Sequence, residues 1–177
     1  MSGDDASDRG RWIRSVVDRY EGQLVRYAAR ITGDVERGRD VVQDAFLRLC
    51  REDRAQVDGH LAEWLFTVCR NRALDVKRKE KRMQSLPVDQ AVKQPSGEPD
   101  QAIAAEVRDT ADHVRRLLET LPENQQEVLR LKFQAGLSYR EISRVTELSV
   151  SNVGYLIHTA IRKLRDKLQA DPETADS

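Results

Sequence analysis

Between Ser85 and Asp100 the chain reads SLPVDQAVKQPSGEPD. This segment holds three of the five prolines in sixteen residues and has no apolar period. Such a stretch has little to bury and breaks any helix that enters it, so it reads as a flexible linker and a domain boundary. It constrains the fold more than any other feature, because the parts of the 177-residue chain on its two sides must form two separate small cores. Only 5 % of residues are aromatic and 34 % are charged, a composition suited to small helical cores.

Apolar residues before the linker recur every three or four positions, which is the period of an amphipathic helix. Trp12, Val16, Tyr20, Leu24, Tyr27 and Ile31 form a first stripe, ended by Thr32-Gly33-Asp34, where glycine suits the left-handed position after a last turn. Val42, Ala45, Phe46 and Leu49 form a second stripe, running to about Cys50. The polar segment Arg51–Gly59 reads as a loop. A third helix is expected from Leu61 to Arg82, with Leu61, Leu65, Val68, Arg72 and Val76 along one side. Three helices with short connections can bury one core. After the linker, Ile103, Val107, Val114, Leu117 and Leu121 make a further stripe. Pro122 can open the next helix, PENQQEVLRLKF, which buries Val128 and Leu129, with Phe133 as a further candidate.

Ser138 and Glu141 have the S-x-x-E spacing of a capping box, in which each side chain satisfies the other's free amide. A short helix over Tyr139–Val145, a turn at Thr146–Leu148, and a last helix capped by Ser149 follow. Val153, Ile157, Ala160, Leu164 and Leu168 face inward on that helix. A short capped helix, a tight turn and a longer helix make a helix-turn-helix, whose second helix enters the DNA major groove. Its opening turns present Ser151, Asn152, Tyr155 and His158. Asparagine can bond two adenine edge groups at once. Arg162, Lys163, Arg165 and Lys167 come later and suit phosphate contact. The alternative reading of this unit is a helical hairpin with a solvated basic end.

The expected architecture is all-α, with two small helical domains and the helix-turn-helix in the second. The boundaries are a disordered tail over 1–10, a first domain over 11–84, a linker over 85–101, a second domain over 102–169 and a disordered tail over 170–177. Formal net charge is zero, so charge points to partners only through its distribution. Arg70–Arg82, RNRALDVKRKEKR, holds seven basic and two acidic residues, a local net of +5 (7 − 2). Such a block fits phosphate contact, against the plainer readings of a solvated face or of cations complementing a helix C-terminus.

Cys50 and Cys69 sit in apolar runs and read as reduced core residues of a cytoplasmic protein. The three histidines have no metal-ligand spacing, and no metal or other cofactor is expected. The N-terminus lacks a signal-peptide core, and no stretch reaches the ~20 apolar residues of a membrane span. No paired carboxylates, nucleophile–base set or glycine-rich phosphate loop supports an enzyme.

A helix-turn-helix alone would fit any repressor or activator. However, DVVQDAFLRLC (Asp40–Cys50) and EWLFTVCRNRALDVKRKEKR (Glu63–Arg82) resemble the core-binding and promoter-melting segments of bacterial sigma factors. LPENQQEVLRLKFQAGLSYREISRVTELSVSNV (Leu121–Val153) resembles the second sigma DNA-binding domain. Order, spacing and linker resemble the two-domain extracytoplasmic-function (ECF) class over residues 11 to 168. The resemblance implies a factor that binds core RNA polymerase, directs it to −10 and −35 promoter elements and supports melting. It implies a polymerase-docking face at Asp40, Gln43, Asp44, Leu47 and Arg48. The −10 contacts it implies are a base-holding loop over Arg51–His60, including Asp58 and His60, and then Arg70, Asn71, Arg72, Lys77, Arg78 and Arg82. Asn71 and Arg72 have the alternative role of internal braces, with Asp75 paired to one of them, and Trp64 is expected in the core. For −35 DNA it implies Arg140, Ser149, Ser151, Asn152, Tyr155, His158, Arg162 and Lys163. An anti-sigma factor is a partner common in the class. The chain departs from the class where its usual lysine and arginine fall on Gly154 and Leu156.

Overall fold

The structure is a computed structural model that describes residues 3–84 and 113–170. The chain divides into two compact units between Gly97 and Glu98. All regular elements among the described residues are helical. The linker over 85–101 and the start of the expected second domain, with Ile103 and Val107, lie outside the described residues, as does the tail beyond Ala170.

The first unit contains α1 (Gly3–Thr32), α2 (Val35–Leu49), α3 (Arg54–Val57), a 3-10 turn (Asp58–His60) and α4 (Leu61–Gln84). Helix α1 begins at Gly3, in place of the expected disordered tail over 1–10. Its early turns are tied to the rest of the unit by Asp8 and Arg9, which a search for apolar period does not register. Gly33 takes the left-handed conformation at φ 78° and turns the chain. Asp34 then caps α2 by accepting from the Arg37 amide.

The stripes of the three long helices close on Trp12, Val16, Leu24, Tyr27, Ala28, Val41, Val42, Ala45, Leu49, Leu65, Phe66, Cys69 and Ala73. Tyr27 and Phe66 meet edge to face with ring centroids 5.2 Å apart. On α4 the buried side is Leu65, Phe66, Cys69 and Ala73, a rotation from the expected Leu61–Leu65–Val68–Arg72–Val76 line. The true stripe is built partly from small residues, which permit close helix approach but weigh little in a periodicity count. Arg72 is therefore exposed. The Arg51–Gly59 loop is more ordered than expected. Asp53 caps the single turn of α3 by accepting from the Ala55 amide, and Val57 is buried.

Helices α1 and α2 cross at Gly38. A Cβ there would lie 2.8 Å from the Ala29 backbone nitrogen and 3.0 Å from its Cα, so only glycine permits the crossing.

The second unit contains a helical stretch over 113–119 (α5), α6 (Glu123–Phe133), α7 (Tyr139–Thr146) and α8 (Val150–Ala170). Pro122 stands at the N-cap of α6. The Gln126 side-chain Nε2 donates to the Leu121 carbonyl at 2.7 Å, binding α6 to the preceding turn. The core comprises Leu121, Val128, Leu129, Leu131, Leu137, Ile142, Val145, Val153, Leu156, Ile157 and Ala160. Phe133 is 65 % exposed and so stands outside the core, since α6 turns Leu131 inward instead. Leu168 is also exposed and Leu164 half-buried, because the end of α8 runs past the residues that cover its stripe.

Gly38→Ala should lower unfolding free energy by about 1–3 kcal/mol, since the clash is with backbone and outweighs the helix-propensity gain. Urea denaturation followed by circular dichroism tests this; equal or greater stability of the variant would refute the close-crossing account.

Candidate nucleic-acid interface

Helix α4 carries its polar groups on a ridge opposite the buried stripe. Asn71, Asp75, Arg78 and Arg82 fall at i, i+4, i+7 and i+11, so 3.6 residues per turn stack them along one line. Arg70 and Lys77 share one flank, with Lys81; Arg72 and Lys79 share the other. All the cations of this block except the half-buried Arg70 are exposed. Lys79 belongs to this surface although the sequence motifs did not single it out.

Some of the block is internally engaged. Arg72 Nε donates to Asp44 Oδ2 at 2.8 Å, joining α4 to α2. Asp75 lies 3.4 Å from Arg78 on its own helix, so its partner is neither Asn71 nor Arg72. Glu80 pairs with Arg37 of α2, a link that the sequence motifs do not reveal. These pairs are solvent-exposed and individually contribute only about 0.2–1 kcal/mol. The Arg72–Asp44 and Arg37–Glu80 pairs fix the rotation of α4 against α2, while the Asp75–Arg78 pair lies within the outer ridge itself.

The other face of α2 presents Asp40, Gln43, Asp44, Leu47 and Arg48, all exposed and all within one side of the helix. Leu47, 54 % exposed, stands amid the charges. An apolar centre within a polar rim is the anatomy of a protein interface. Trp64 is half-buried at the edge of this face, with the Arg48 guanidinium over its ring, 5.8 Å from the centroid. The tryptophan thus borders the surface and is not enclosed in the core. Asp58 and His60 lie exposed in the turn before α4, on the 51–60 segment.

In the second unit the capping box forms as its spacing predicts. The Glu141 carboxylate accepts from the Ser138 amide at 2.7 Å, and Ser138 Oγ accepts from the Glu141 amide at 3.3 Å. The turn between α7 and α8 places Glu147 at φ 61°, a left-handed position rare for residues with a side chain. Ser143 Oγ donates to the Leu148 carbonyl, and Ser149 Oγ accepts from the Asn152 amide at 3.1 Å to cap α8. The Ser149 hydroxyl is thus engaged in building the turn.

On α8, Ser151, Tyr155, His158 and Arg162 line up opposite Val153, Leu156, Ile157 and Ala160. Asn152 and Lys163 lie beside this ridge, and Arg140 is exposed at the start of α7. Tyr155 is 66 % exposed. The Tyr139 ring reaches across to Gly154, with Lys132 Nζ 5.4 Å from the ring centroid. A Cβ at Gly154 would lie 3.6 Å from Tyr139, an ordinary contact, so packing does not demand glycine there. Leu156 is 6 % exposed and belongs to the core. The first two turns of α8 therefore present no Arg or Lys, and its cations start at Arg162.

The cysteines separate. Cys69 is buried, and burial pushes its thiol up to about 12. Cys50 is exposed, contrary to the core position expected for it, because it follows the last turn of α2 beyond Leu49. Among the described residues no cluster of His, Cys, Asp or Glu could hold a metal ion, and no helix is long and apolar enough to cross a membrane.

A short bundle with exposed cations on α4, and a separate capped helix-turn-helix, are the make-up of a DNA-binding transcription factor. Residues 16–83 match Sigma-70 region 2, and residues 112–164 match Sigma-70 region 4. The chain is 32 % identical to the ECF RNA polymerase sigma factor SigL of Mycobacterium tuberculosis over 165 residues, covering 89 % of each chain. It is 28 % identical to the ECF sigma factor RpoE of Cereibacter sphaeroides over 183 residues, covering 93 % of this chain and 98 % of that one. The solved structure of CnrH in complex with the cytosolic domain of CnrY is similar, with a TM-score of 0.58, 25 % identity and coverage of 92 % and 90 %. The sigma factor RpoE in its co-crystal with the anti-sigma factor NepR from Bartonella quintana shares the fold, with a TM-score of 0.64, 21 % identity and coverage of 89 % and 97 %. The chain belongs to the ECF RNA polymerase sigma factors: it binds core polymerase, directs it to promoters and supports initiation.

The hydrogen bonds from Ser138 hold the Glu141 carboxyl below its ordinary value of 4.5. The folded state therefore favours the ionised form. The associated stability is present above pH 4.5 and lost as pH falls through the lower folded-state value. Wild type should exceed Glu141→Gln in stability at pH 7, with the gap shrinking under acid; a gap independent of pH would contradict the capping-box account.

Proposed function

We propose that the first unit docks on core polymerase and holds the melted −10 strand, while the second reads duplex at −35. Polymerase contact falls to Asp40, Gln43, Asp44, Leu47 and Arg48 of α2. The −10 strand lies along α4, with Arg70, Asn71, Lys77, Arg78 and Arg82 toward its phosphates and bases. Asp58 and His60 face a base lifted out of the stack. Arg72 sits between the two roles, since it braces Asp44 and still reaches solvent. At −35, Ser151, Asn152, Tyr155 and His158 face base edges, and Arg140, Arg162 and Lys163 face phosphate.

The observation that carries this reading is the ridge Asn71–Arg78–Arg82, aligned opposite the buried stripe and flanked by further cations. Any polar face lines up opposite a buried stripe; what favours a bound strand is the excess of cations on and beside this ridge, seven basic against two acidic residues over Arg70–Arg82. Two readers on one chain also fit two separated promoter elements, because a tether raises the effective concentration of the second site.

The factor performs no chemistry of its own; bond formation belongs to the polymerase. It acts in the cytoplasm, where that enzyme works. An anti-sigma factor is its proposed regulator, supported by the complex of Bartonella quintana RpoE with NepR.

Run-off transcription with core polymerase tests the first unit. Replacing Arg70, Lys77 and Arg78 together by alanine should reduce open complex by at least about tenfold through lost phosphate contacts, with binding to core retained. Unchanged open complex would refute the α4 assignment. The second unit is tested by Gly154→Lys, which its surroundings accommodate. On a −35 duplex this variant should steepen the slope of log K against log salt by about one. An unaltered slope would mean that this turn does not face DNA.

A further inference from the structure

The early turns of α1 reach the 51–60 segment from forty residues away in sequence. Arg9 Nη2 donates to the Cys50 carbonyl at 3.0 Å and to the Glu52 carbonyl at 2.6 Å. These are carbonyls at and just beyond the end of α2, where the last turn has no intrahelical donors and the helix dipole favours a cation. Arg9 therefore caps α2 from another helix. Beside it, Asp8 lies 3.4 Å from Arg54, whose guanidinium sits 5.3 Å from the centroid of the Trp12 ring. Arg54 also approaches Asp58 at 3.9 Å. Val57 is buried below. The segment is thus held at its start by Arg9, at its middle by Asp8 and Trp12 through Arg54, and from beneath by Val57, while Gln56, Asp58 and His60 face solvent.

We infer that Arg9, with Asp8 and Trp12, forms a clamp that sets the conformation of the 51–60 segment and so determines how strictly it selects its −10 base. Arg9 is a positioning residue, acting through the backbone of the segment that faces the base. A loop free to rearrange could move its donors and acceptors to suit a wrong base, which would narrow the difference between right and wrong partners. A loop fixed in advance keeps its donors and acceptors at set places, so a wrong base leaves them unpaired. The inference rests on the reading that Asp58 and His60 face an unstacked base, and its test separates the two.

Holoenzyme reconstituted from the full chain and core polymerase is supplied with a promoter library randomised through the −10 element, and the transcripts are sequenced. The wild type should show a marked base preference at one −10 position. Arg9→Ala should reduce the preference there by about tenfold, the value of one base contact, and leave the other positions and binding to core as they were. Arg9→Lys, which keeps a cationic donor, should restore part of it. Asp8→Asn, which keeps Arg9 in place, should loosen the preference less than Arg9→Ala and serves as the readout if Arg9→Ala fails to fold. A joint Asp58→Ala, His60→Ala variant should lose the preference entirely. If that joint variant keeps the preference, the base-facing reading fails and the clamp with it. If the joint variant loses it while Arg9→Ala and Asp8→Asn keep it, only the clamp is overturned. A uniform drop in all transcripts with an unchanged profile would likewise overturn the clamp, reducing Arg9 to a structural cap.

Discussion

The crossing of α1 and α2 at Ala29 and Gly38 governs the first unit. With no side chain at Gly38, α2 lies against the backbone of α1, and Val41, Val42, Ala45 and Leu49 are carried into the core together. The opposite side of α2 then has one orientation, and Asp40, Gln43, Asp44, Leu47 and Arg48 emerge on it as a set. Because α4 packs on both helices through Leu65, Phe66, Cys69 and Ala73, its cations leave on the far side. One close contact between two small residues thus orients both the proposed polymerase-facing surface and the proposed strand-facing ridge.

Polar links between elements refine that arrangement. Arg37–Glu80 and Asp44–Arg72 bind α2 to α4 at two places about two turns apart on α2, and Arg9 and Arg54 bind the 51–60 segment to α1. None contributes much stability alone. Their value is geometric, since a surface that must recognise a nucleic acid needs fixed positions more than it needs energy. In the second unit the same work falls to hydrogen bonds in the turns. Ser138 with Glu141, Ser143 with Leu148 and Ser149 with Asn152 set where α8 begins. The neutral face of α8 then follows from register, with Leu156 rotated inward and Gly154 leaving a gap beside Tyr139. This face suits base edges better than phosphates.

Much of this was legible in the chain as written. The helix-turn-helix, both caps of its helices and the glycine turn at Gly33 all depend on residues within a few positions of one another, so local rules reach them. The sigma-like motifs placed function for the same reason, being short and contiguous. Where the sequence reading slipped, the cause was distance. The buried side of α4 turned on Cys69 and Ala73, whose smallness matters only against neighbouring helices. Phe133 and Cys50 looked apolar enough for a core, yet fall where no partner covers them. The tail that seemed disordered is helical from Gly3, and its anchors are backbone carbonyls some forty residues on.

The sequence alone therefore determined that there are two helical bodies, how the turns at Gly33 and before α7 and α8 are capped and which family they belong to, because helical period, capping and turn chemistry are local properties of a chain. Only the tertiary structure decided which polar groups are engaged and which are left for a partner. Asp44 with Arg72, Arg37 with Glu80 and Arg9 with the end of α2 are separated by 28 to 43 residues. Whether such groups meet depends on the rotation and spacing of packed helices, which no local pattern encodes.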